Sequence, residues 1–537
     1  MAKKSTATLY QTLWNSADIL RSKMDANEYK DYLLGLIFYK YLSDNLLYFA
    51  TELLEEKADT LEEAQHTYEE AYKDHDIHDD LVSELNYSYS YILKPELTFT
   101  ALMQDLDEGA FELDKLGQGF RDIEQSDELF ENLFEDIDLH SRRLGPTLQK
   151  QSETIQQVMK ELNKLDFADY DGDALGDAYE YLIGQFASES GKKAGEFYTP
   201  QAVSNLMTHI VMTGRENKRG FTAYDATMGS GSLLLNVKKI SQEPQHVRFF
   251  GQEINTSTYN LARMNMILHE VGIENQNFNN GNTLEDDWPT EEPTNFDAVL
   301  MNPPYSAKWS RSQGFLDDPR FAPYGVLPPK SRADYAFLLH GFYHLKTDGV
   351  MAIVLPHGIL FRGGAEGTIR QALLENGSID TVIGLPEKLF FNTGIPTTIV
   401  ILKKDRQERD ILFIDASNDF EKLSSQNKMT EEHVQKVLET YQNREMVEKY
   451  SYVASYDEIV ENDFNLNIPR YVDTFEPEPE IPLADVSANL EETTKKLQET
   501  EKELMTMMNE LVGTDEESDQ ELQTFISQLE KLGGFNE

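Results

Sequence analysis

From Thr6 to about Tyr170 apolar residues recur every three or four positions between polar ones: Leu9, Leu13, Ile19 and Leu20, then Tyr29, Leu33, Leu36, Ile37 and Tyr41. Such spacing lines one face of a helix, so residues 1–170 are expected to form an all-helical domain. Two acidic helical stretches follow within it and carry no nucleotide or metal motif; packing and partner contact are the roles expected of them. Leu175, Tyr179, Leu182, Ile183 and Phe186 make one more helical stripe. Then the period changes. Phe221 to Asp225, Phe249 to Glu253, Phe296 to Met301, Gly349 to Pro356, Ile379 to Pro386 and Thr397 to Leu402 are short apolar runs of strand length, and helical patterns separate several of them. Alternation of this kind predicts an α/β domain with a buried parallel sheet, placed at 171–418. Residues 419–475 read as a helical and irregular connecting region. The last part, 476–537, opens on the stiff acidic linker Glu476-Pro477-Glu478-Pro479-Glu480. After it Leu490, Leu497, Leu504 and Leu511 recur every seven residues, and Thr514 with Glu517 suggests a capping box for a final helix bearing Leu522, Phe525, Ile526 and Leu529. These helices are expected to meet helices of a partner.

The strand ends carry polar loops. After the first strand, Ala226-Thr227-Met228-Gly229-Ser230-Gly231-Ser232 is a glycine loop leading into a helix, but Leu234 stands where a dinucleotide fingerprint has its third glycine. The second strand ends in Glu253, an acid about 20 residues on and suited to ribose hydroxyls. A third loop, Asn280-Gly281-Asn282-Thr283-Leu284, precedes the strand that runs into Asn302. All would lie at the carboxyl ends of successive strands, where open α/β sheets bind ligands. Upstream, Glu196-Phe197-Tyr198-Thr199-Pro200-Gln201 reads as a helix start, with the Thr199 hydroxyl as cap and Pro200 in the first turn; an anion or carboxylate would suit it, and Phe197 and Tyr198 would serve equally as a hydrophobic staple. Asp169, Asp171 and Asp173 with Glu180 at the twelfth place imitate a calcium loop, but Ala174 occupies the position that needs glycine, so an acidic helix start is read there and no metal site is assigned.

Asn302-Pro303-Pro304-Tyr305 has the most chemistry to offer. An exocyclic amino group on an aromatic ring is a poor nucleophile because its lone pair is delocalised. The Asn302 side-chain oxygen and the Pro303 carbonyl can each accept one of its N–H groups and favour a pyramidal nitrogen aimed at a methyl donor. Pro304 keeps Pro303 extended, and Tyr305 offers a face on which an unpaired base can stack, worth roughly 1–3 kcal/mol. Alone, Asn-Pro-Pro is also good turn chemistry.

Composition changes this picture in two places. A chain of 537 residues exceeds one core, and 40% hydrophobic content fits a globular protein. The best apolar run, Leu33 to Phe38, is broken by Lys40 and reads as core helix; no secretory signal is recognised, and zero cysteine, which excludes disulfides and thiolate-bound metal, fits a cytoplasmic protein. The formal charge of −47 is the second point. A field of that sign repels nucleic acid. If the substrate is DNA, another chain holds it.

Taken together, Glu196 to Gln201, Asp225 to Ser232, Glu253 and Asn302 to Tyr305, framed by a helical N-terminal domain and followed by Asn462 to Tyr471, resemble the modification (M) subunit of type I restriction-modification systems. The likeness spans nearly the whole chain. It implies a Rossmann-like S-adenosylmethionine-dependent methyltransferase sheet domain between the helical domain and a coiled-coil tail, with N6 of adenine in DNA as acceptor. By position Phe197, Tyr198 and Thr199 would line the methionine side of S-adenosylmethionine, Gly229, Ser230, Gly231 and Ser232 would run beneath it, and Glu253 would hold its ribose. Glu196, Pro200, Gln201, Asp225 and Thr283 complete the implied donor site. Asn282 replaces the acid common in that loop, leaving an amide oxygen to accept from the donor's adenine amine, and Ala226 replaces a usual proline. Adenine must be flipped out of the duplex to be reached. The implied partners are a specificity (S) subunit that reads the DNA, a second M subunit and restriction (R) subunits. Methylation of a glutamine amide or an RNA base, or a non-catalytic acidic DNA mimic, are the alternatives.

Overall fold

The computed structural model describes residues 5–170, 173–189, 198–390, 394–423, 426–474 and 482–531. It divides into one unit from Met1 to Thr474 and a second from Phe475 to Glu537.

In the first unit the expected helical region holds α1 (Thr6–Arg21), α2 (Ala26–Leu53), α3 (Leu61–Lys73), α4 (His78–Tyr89), α5 (Phe99–Asp107), α6 (Leu113–Glu124) and α7 (Leu148–Leu162), and α8 (Ala174–Glu189), which the sequence assigned to the following domain, joins their core. Their apolar stripes close one core around Leu33, Ile37, Tyr68, Phe99 and Tyr179. The helix carrying Leu33 to Phe38 is interior, and Lys40 is buried with it. Its ammonium meets the Asp44 carboxylate one turn on at 2.6 Å and lies over the Phe99 and Phe167 rings. Burial pushes the Asp44 carboxyl up to about 6 in spite of that partner. The second half of the apparent calcium loop is helical. Ala174 to Glu189 is helix, so Glu180 is set on a rigid rod, while Asp171 lies outside the described residues.

The sheet follows, through α9 (Gln201–Met212), β1 (Thr222–Asp225), α10 (Ser232–Ile240), β2 (Arg248–Glu253), α11 (Thr256–Leu268), β3 (Gln276–Asn280), β4 (Phe296–Met301), α12 (Asp334–Tyr343), β5 (Leu345–Pro356), α13 (Ala365–Glu375), β6 (Ile379–Gly384), β7 (Thr397–Lys403), β8 (Ile411–Asp415), a two-stranded ribbon of β9 (Glu421–Lys422) and β10 (Asn427–Lys428), α14 (Glu431–Asn443), β11 (Ser451–Ala454) and α15 (Tyr456–Glu461). The large sheet has the order β11-β8-β6-β7-β5-β4-β1-β2-β3. β3, β2, β1, β4 and β5 are parallel, whereas β7 runs antiparallel between β5 and β6. The strand order reverses between β1 and β4, so the crevice outside their carboxyl ends is the topological switch point of the sheet. The sheet does not stop at 418: β11 pairs antiparallel with β8, because backbone groups left open on an edge strand take a further strand.

Side chains alternate across the sheet. Ala223, Phe249, Ala298, Leu300 and Val354 pack with α9, α10 and α14 on one face, while Tyr224, Phe250, Val299, Met301 and Ile353 pack with α12 and α13 on the other. The helical region rests on α11. Leu261, Met264 and Leu268 belong to its core, Asn260 donates to the Asn132 carbonyl at 2.9 Å, and Arg263 donates to the Glu131 carbonyl at 3.0 Å.

In the second unit α16 (Leu483–Asn509) and α17 (Glu516–Lys531) form the helical end. Leu490, Leu497 and Leu504 are exposed along α16; Leu511, the fourth of the heptad series, lies beyond its last turn. The cap of α17 differs from the expected Thr514 box. The Asp515 carboxylate accepts from Ser518 N at 2.8 Å, and that backbone N–H holds the Asp515 pKa below its ordinary value. The acidic linker before α16 lies outside the described residues. Among the described residues no helix is long and apolar enough to cross a membrane.

Candidate active site

Four strand ends meet at the switch point. β1 delivers Asp225, and the chain turns through Gly229 at φ 55° and Gly231 at φ 80° into α10. A side chain at 231 would be strained by that angle, and its Cβ would come within 2.9 Å of Met266 Cε. Asn265 donates to the Ser230 carbonyl at 3.0 Å, and Met228 N donates to the Gln252 carbonyl at 3.0 Å, so the loop is tied to α11 and β2. β2 ends at Glu253, whose carboxylate accepts from Gly229 N at 3.2 Å and from Asn255 N at 2.8 Å. Burial raises the Glu253 pKa, and these two N–H groups oppose it. From the third loop the Thr283 hydroxyl donates to the Ala226 carbonyl. The Asn282 amide oxygen accepts from Leu284 N at 3.2 Å, so part of its accepting capacity is spent inside its own loop.

β4, buried along its whole length, delivers Asn302. The Asn302 amide Nδ2 donates to the Thr199 hydroxyl at 3.0 Å, and Oδ1 accepts from the Tyr305 hydroxyl at 2.8 Å. Thr199 is therefore not the cap of α9. The first helical residue is Gln201, Pro200 stands at the cap position with no side-chain bond, and the Thr199 hydroxyl is engaged by a residue 103 positions away. The Tyr305 ring packs edge-on against Phe390, centroids 6.0 Å apart at 84°, and burial holds its phenol well above the ordinary value, as a donor. Ser306 has φ 53°, an uncommon angle for a residue with a Cβ, and its N–H is clamped by the Asp334 carboxylate at 2.7 Å. Arg362 in turn donates to Asp334 at 3.0 Å. This clamp fixes the exit of the Asn-Pro-Pro-Tyr turn.

These elements border a cavity of about 520 Å³, within the roughly 300–1,000 Å³ of small-molecule sites. Of the residues expected at a site, Glu253, Asn282, Thr283, Asn302 and Pro304 line it; Gln252, Leu284, Trp309 and Phe337 line it too, though no motif in the sequence marks them. Pro303 is buried beside Asn302. Tyr198 is half-buried over Gly184 of α8, and Gln201 turns to α10, donating to the Asn236 amide oxygen at 3.1 Å. Glu196 and Phe197 lie outside the described residues. Around the ends of β1 and β2, Asp225 Oδ2, Ser232 Oγ and Gln252 Oε1 are buried without a hydrogen-bond partner. Burial, with the charge of Glu253 adding to it, raises the Asp225 carboxyl to about 8 against the pull of Thr227 N–H. Unspent polar atoms of this kind suit a polar, cationic ligand.

Against known proteins, residues 170–480 match the family described as N-6 DNA Methylase, and residues 9–162 match the HsdM N-terminal domain. The type I restriction enzyme MpnII methylase subunit of Mycoplasma pneumoniae is 33% identical over 540 residues, covering 95% of this chain and 97% of its own. The MjaVII methylase subunit of Methanocaldococcus jannaschii is 30% identical, with coverage of 95% and 85%. Among solved structures, the type I restriction-modification methyltransferase subunit from Streptococcus thermophilus superposes with a TM-score of 0.86 at 66% identity, over 88% of this chain and all of that one. With two consecutive domains matched in order and near-full-length relatives at 33% and 30% identity, this chain belongs to the methylase subunits of type I restriction enzymes, an N6-adenine DNA methyltransferase family.

Proposed function

We propose that the cavity takes S-adenosylmethionine and that Asn302 and Pro303 receive the amino group of an adenine turned out of a DNA duplex. When bound, that donor supplies an electrophilic methyl group on a sulfonium. Glu253, fixed by two backbone N–H groups, retains lone pairs for the ribose hydroxyls; of the glycine loop Ala226 and Thr227 line the cavity, and Asp225, Ser232 and the Gly229 to Gly231 turn are assigned to the donor site beside them. The methionine side is assigned to Tyr198, Thr199 and Pro200, and the same role is proposed for Gln201 and for Glu196 and Phe197, which lie outside the described residues. Asn282 and Thr283 border the donor's adenine.

The observation that carries this reading is the bond from Asn302 Nδ2 to Thr199. It spends the donor end of the amide on the protein and leaves the oxygen as the end offered to an incoming N–H, the role that the Tyr305 hydroxyl fills in this structure. An adenine N–H replaces that hydroxyl, the Pro303 carbonyl takes the second N–H, and the nitrogen lone pair is turned toward the methyl group. Released from Asn302, the Tyr305 ring is available to stack on the base.

Lys and Arg number 48 against 95 Asp and Glu, so the proposal gives duplex binding and sequence choice to an S subunit. The tail 476–537 is assigned to contact with that subunit, within an assembly that includes a second M copy and R subunits; 1–170 keeps the helical role and 171–418 the catalytic one, and 419–475, expected as a connecting region, adds β11 to the sheet and α14 to its face. The complex purified with its S subunit and incubated with labelled donor should put label into unmethylated DNA. Label found in protein or RNA and never in DNA would overturn the proposal.

A further inference from the structure

We infer that Asp177, Glu180 and His269 form a zinc site where α8 meets α10 and α11, apart from the methyl-transfer cavity. One ligand atom from each lies within 4.8 Å of the others. Two of these side chains have buried atoms with no hydrogen-bond partner: His269 Nε2, in a residue 1% exposed, and Glu180 Oε1, in a residue 6% exposed. His269 Nε2 faces Glu180 Oε2 at 3.9 Å, and Nδ1 faces Asp173 Oδ1 at 3.9 Å. These gaps are too long for hydrogen bonds and leave space between the groups. Gly176 makes room for the ring, since a Cβ there would lie 2.5 Å from His269 Cε1.

The charges around the site favour an ion over a closed network. One imidazole and two carboxylates match the mixed ligands of zinc, with water as a fourth. Lys239 already sits between the carboxylates, 2.7 Å from Asp177 and 3.2 Å from Glu180, marking where positive charge is wanted. Its side chain is 32% exposed and can turn to solvent as an ion enters. Lys238, the other cation nearby, points its ammonium at the His269 carbonyl.

A second cluster, Asp287, His340 and His344, shows what a closed network looks like. His344 meets the Thr294 carbonyl at 2.6 Å and Asp287 at 3.0 Å, while His340 meets Tyr224 at 2.8 Å and Arg320 at 3.1 Å. Every ring nitrogen there is engaged, and the buried Arg320 supplies the cation. A zinc ion at Asp177, Glu180 and His269 would cross-link α8 to the end of α11.

The test uses the full chain stripped of metal with a chelator. Calorimetry with zinc chloride should show one site, and Tm should climb with the logarithm of zinc concentration; magnesium and calcium, which prefer all-oxygen sites, should do neither. His269→Ala and Glu180→Gln should lose the response. Because those changes can also weaken the fold, Lys239→Met is the sharper variant: without the competing ammonium it should lower the metal-free Tm and tighten zinc by about tenfold. Zinc heats in the parent no larger than in His269→Ala, or an unchanged zinc affinity in Lys239→Met, would refute the site.

Discussion

Asn302 makes two hydrogen bonds through opposite ends of one amide, and each can be removed separately. Asn302→Ala deletes both. Losing a buried acceptor costs about 1–3 kcal/mol, and more where the bond strengthens in the transition state, so methylation should fall by at least about 100-fold while donor affinity, read by calorimetry, barely moves. Tyr305→Phe keeps the stacking ring and removes the hydroxyl that occupies Asn302 Oδ1. Its kcat should stay within about fivefold of the parent, whereas Tyr305→Ala, which forfeits roughly 1–3 kcal/mol of stacking, should fall by about 10- to 100-fold; equal losses in the two variants would remove the ring from the mechanism. Asp225 gives a pH-dependent prediction. Its folded pKa of about 8 lies above the unfolded value of 3.8, so the folded state binds the extra proton and stability declines as pH rises between those values. Asp225→Asn should therefore melt close to the parent near pH 4 and higher than the parent at pH 9, and should bind the donor more weakly. At this scale Asn302 is legible in the sequence as a candidate, because a polar amide set between a strand that is apolar but for Asp297 and two prolines is wasted on packing and suits a strand end that faces a ligand. Thr199 is not, since a local reading hands its hydroxyl to the next helix and only the folded chain brings Asn302 to it.

Among the elements, β4 has a second anchor at its opposite end. Asp297 is fully buried and accepts from Lys218 at 2.6 Å, Lys346 at 2.9 Å and Thr222 N at 3.0 Å, binding β4 to β1 and to the start of β5. Burial alone would push its carboxyl up; the two ammonium groups and the N–H outweigh that and hold it below the ordinary range. The sign is thus opposite to that of Asp225: this contribution is present above the unfolded pKa and is lost as pH falls through the folded one. Asp297→Ala leaves both lysines unpartnered at a strand end and should destabilise the chain by about 3–5 kcal/mol, measurable by urea unfolding; a loss below about 1 kcal/mol would show the lysines simply turn to solvent. β1, β4, β6 and β7 can be read from the chain because a strand covered on both faces is mostly apolar, and buried acids such as Asp297 of β4 and Asp380 of β6 are held by cations. β3 cannot. Gln276, Asn277, Asn279 and Asn280 surround a single Phe278, and the strand exists because β2 offers backbone partners at the sheet edge. The short β11 is recruited to β8 in the same way.

For the whole molecule the excess of 47 negative charges and the exposed leucines of α16 point the same way, toward function inside an assembly. Removing residues after Glu480 should leave donor binding intact and abolish co-purification with the S subunit; a truncated chain that still co-purifies would place that contact elsewhere. The division into helices, sheet and tail is visible as three successive periodicities, but the seat of the helical region on α11 is not, because Asn260 and Arg263 look like ordinary helix-surface residues until the carbonyls of Asn132 and Glu131 are found against them. That seat has a thermodynamic consequence. α11 begins three residues after Glu253 and is gripped along its length by a region remote in sequence. With the donor held as proposed, a partner that docks on those helices and prefers one pose of α11 alters affinity for the methyl donor, and by reciprocity a filled pocket biases docking by the same factor.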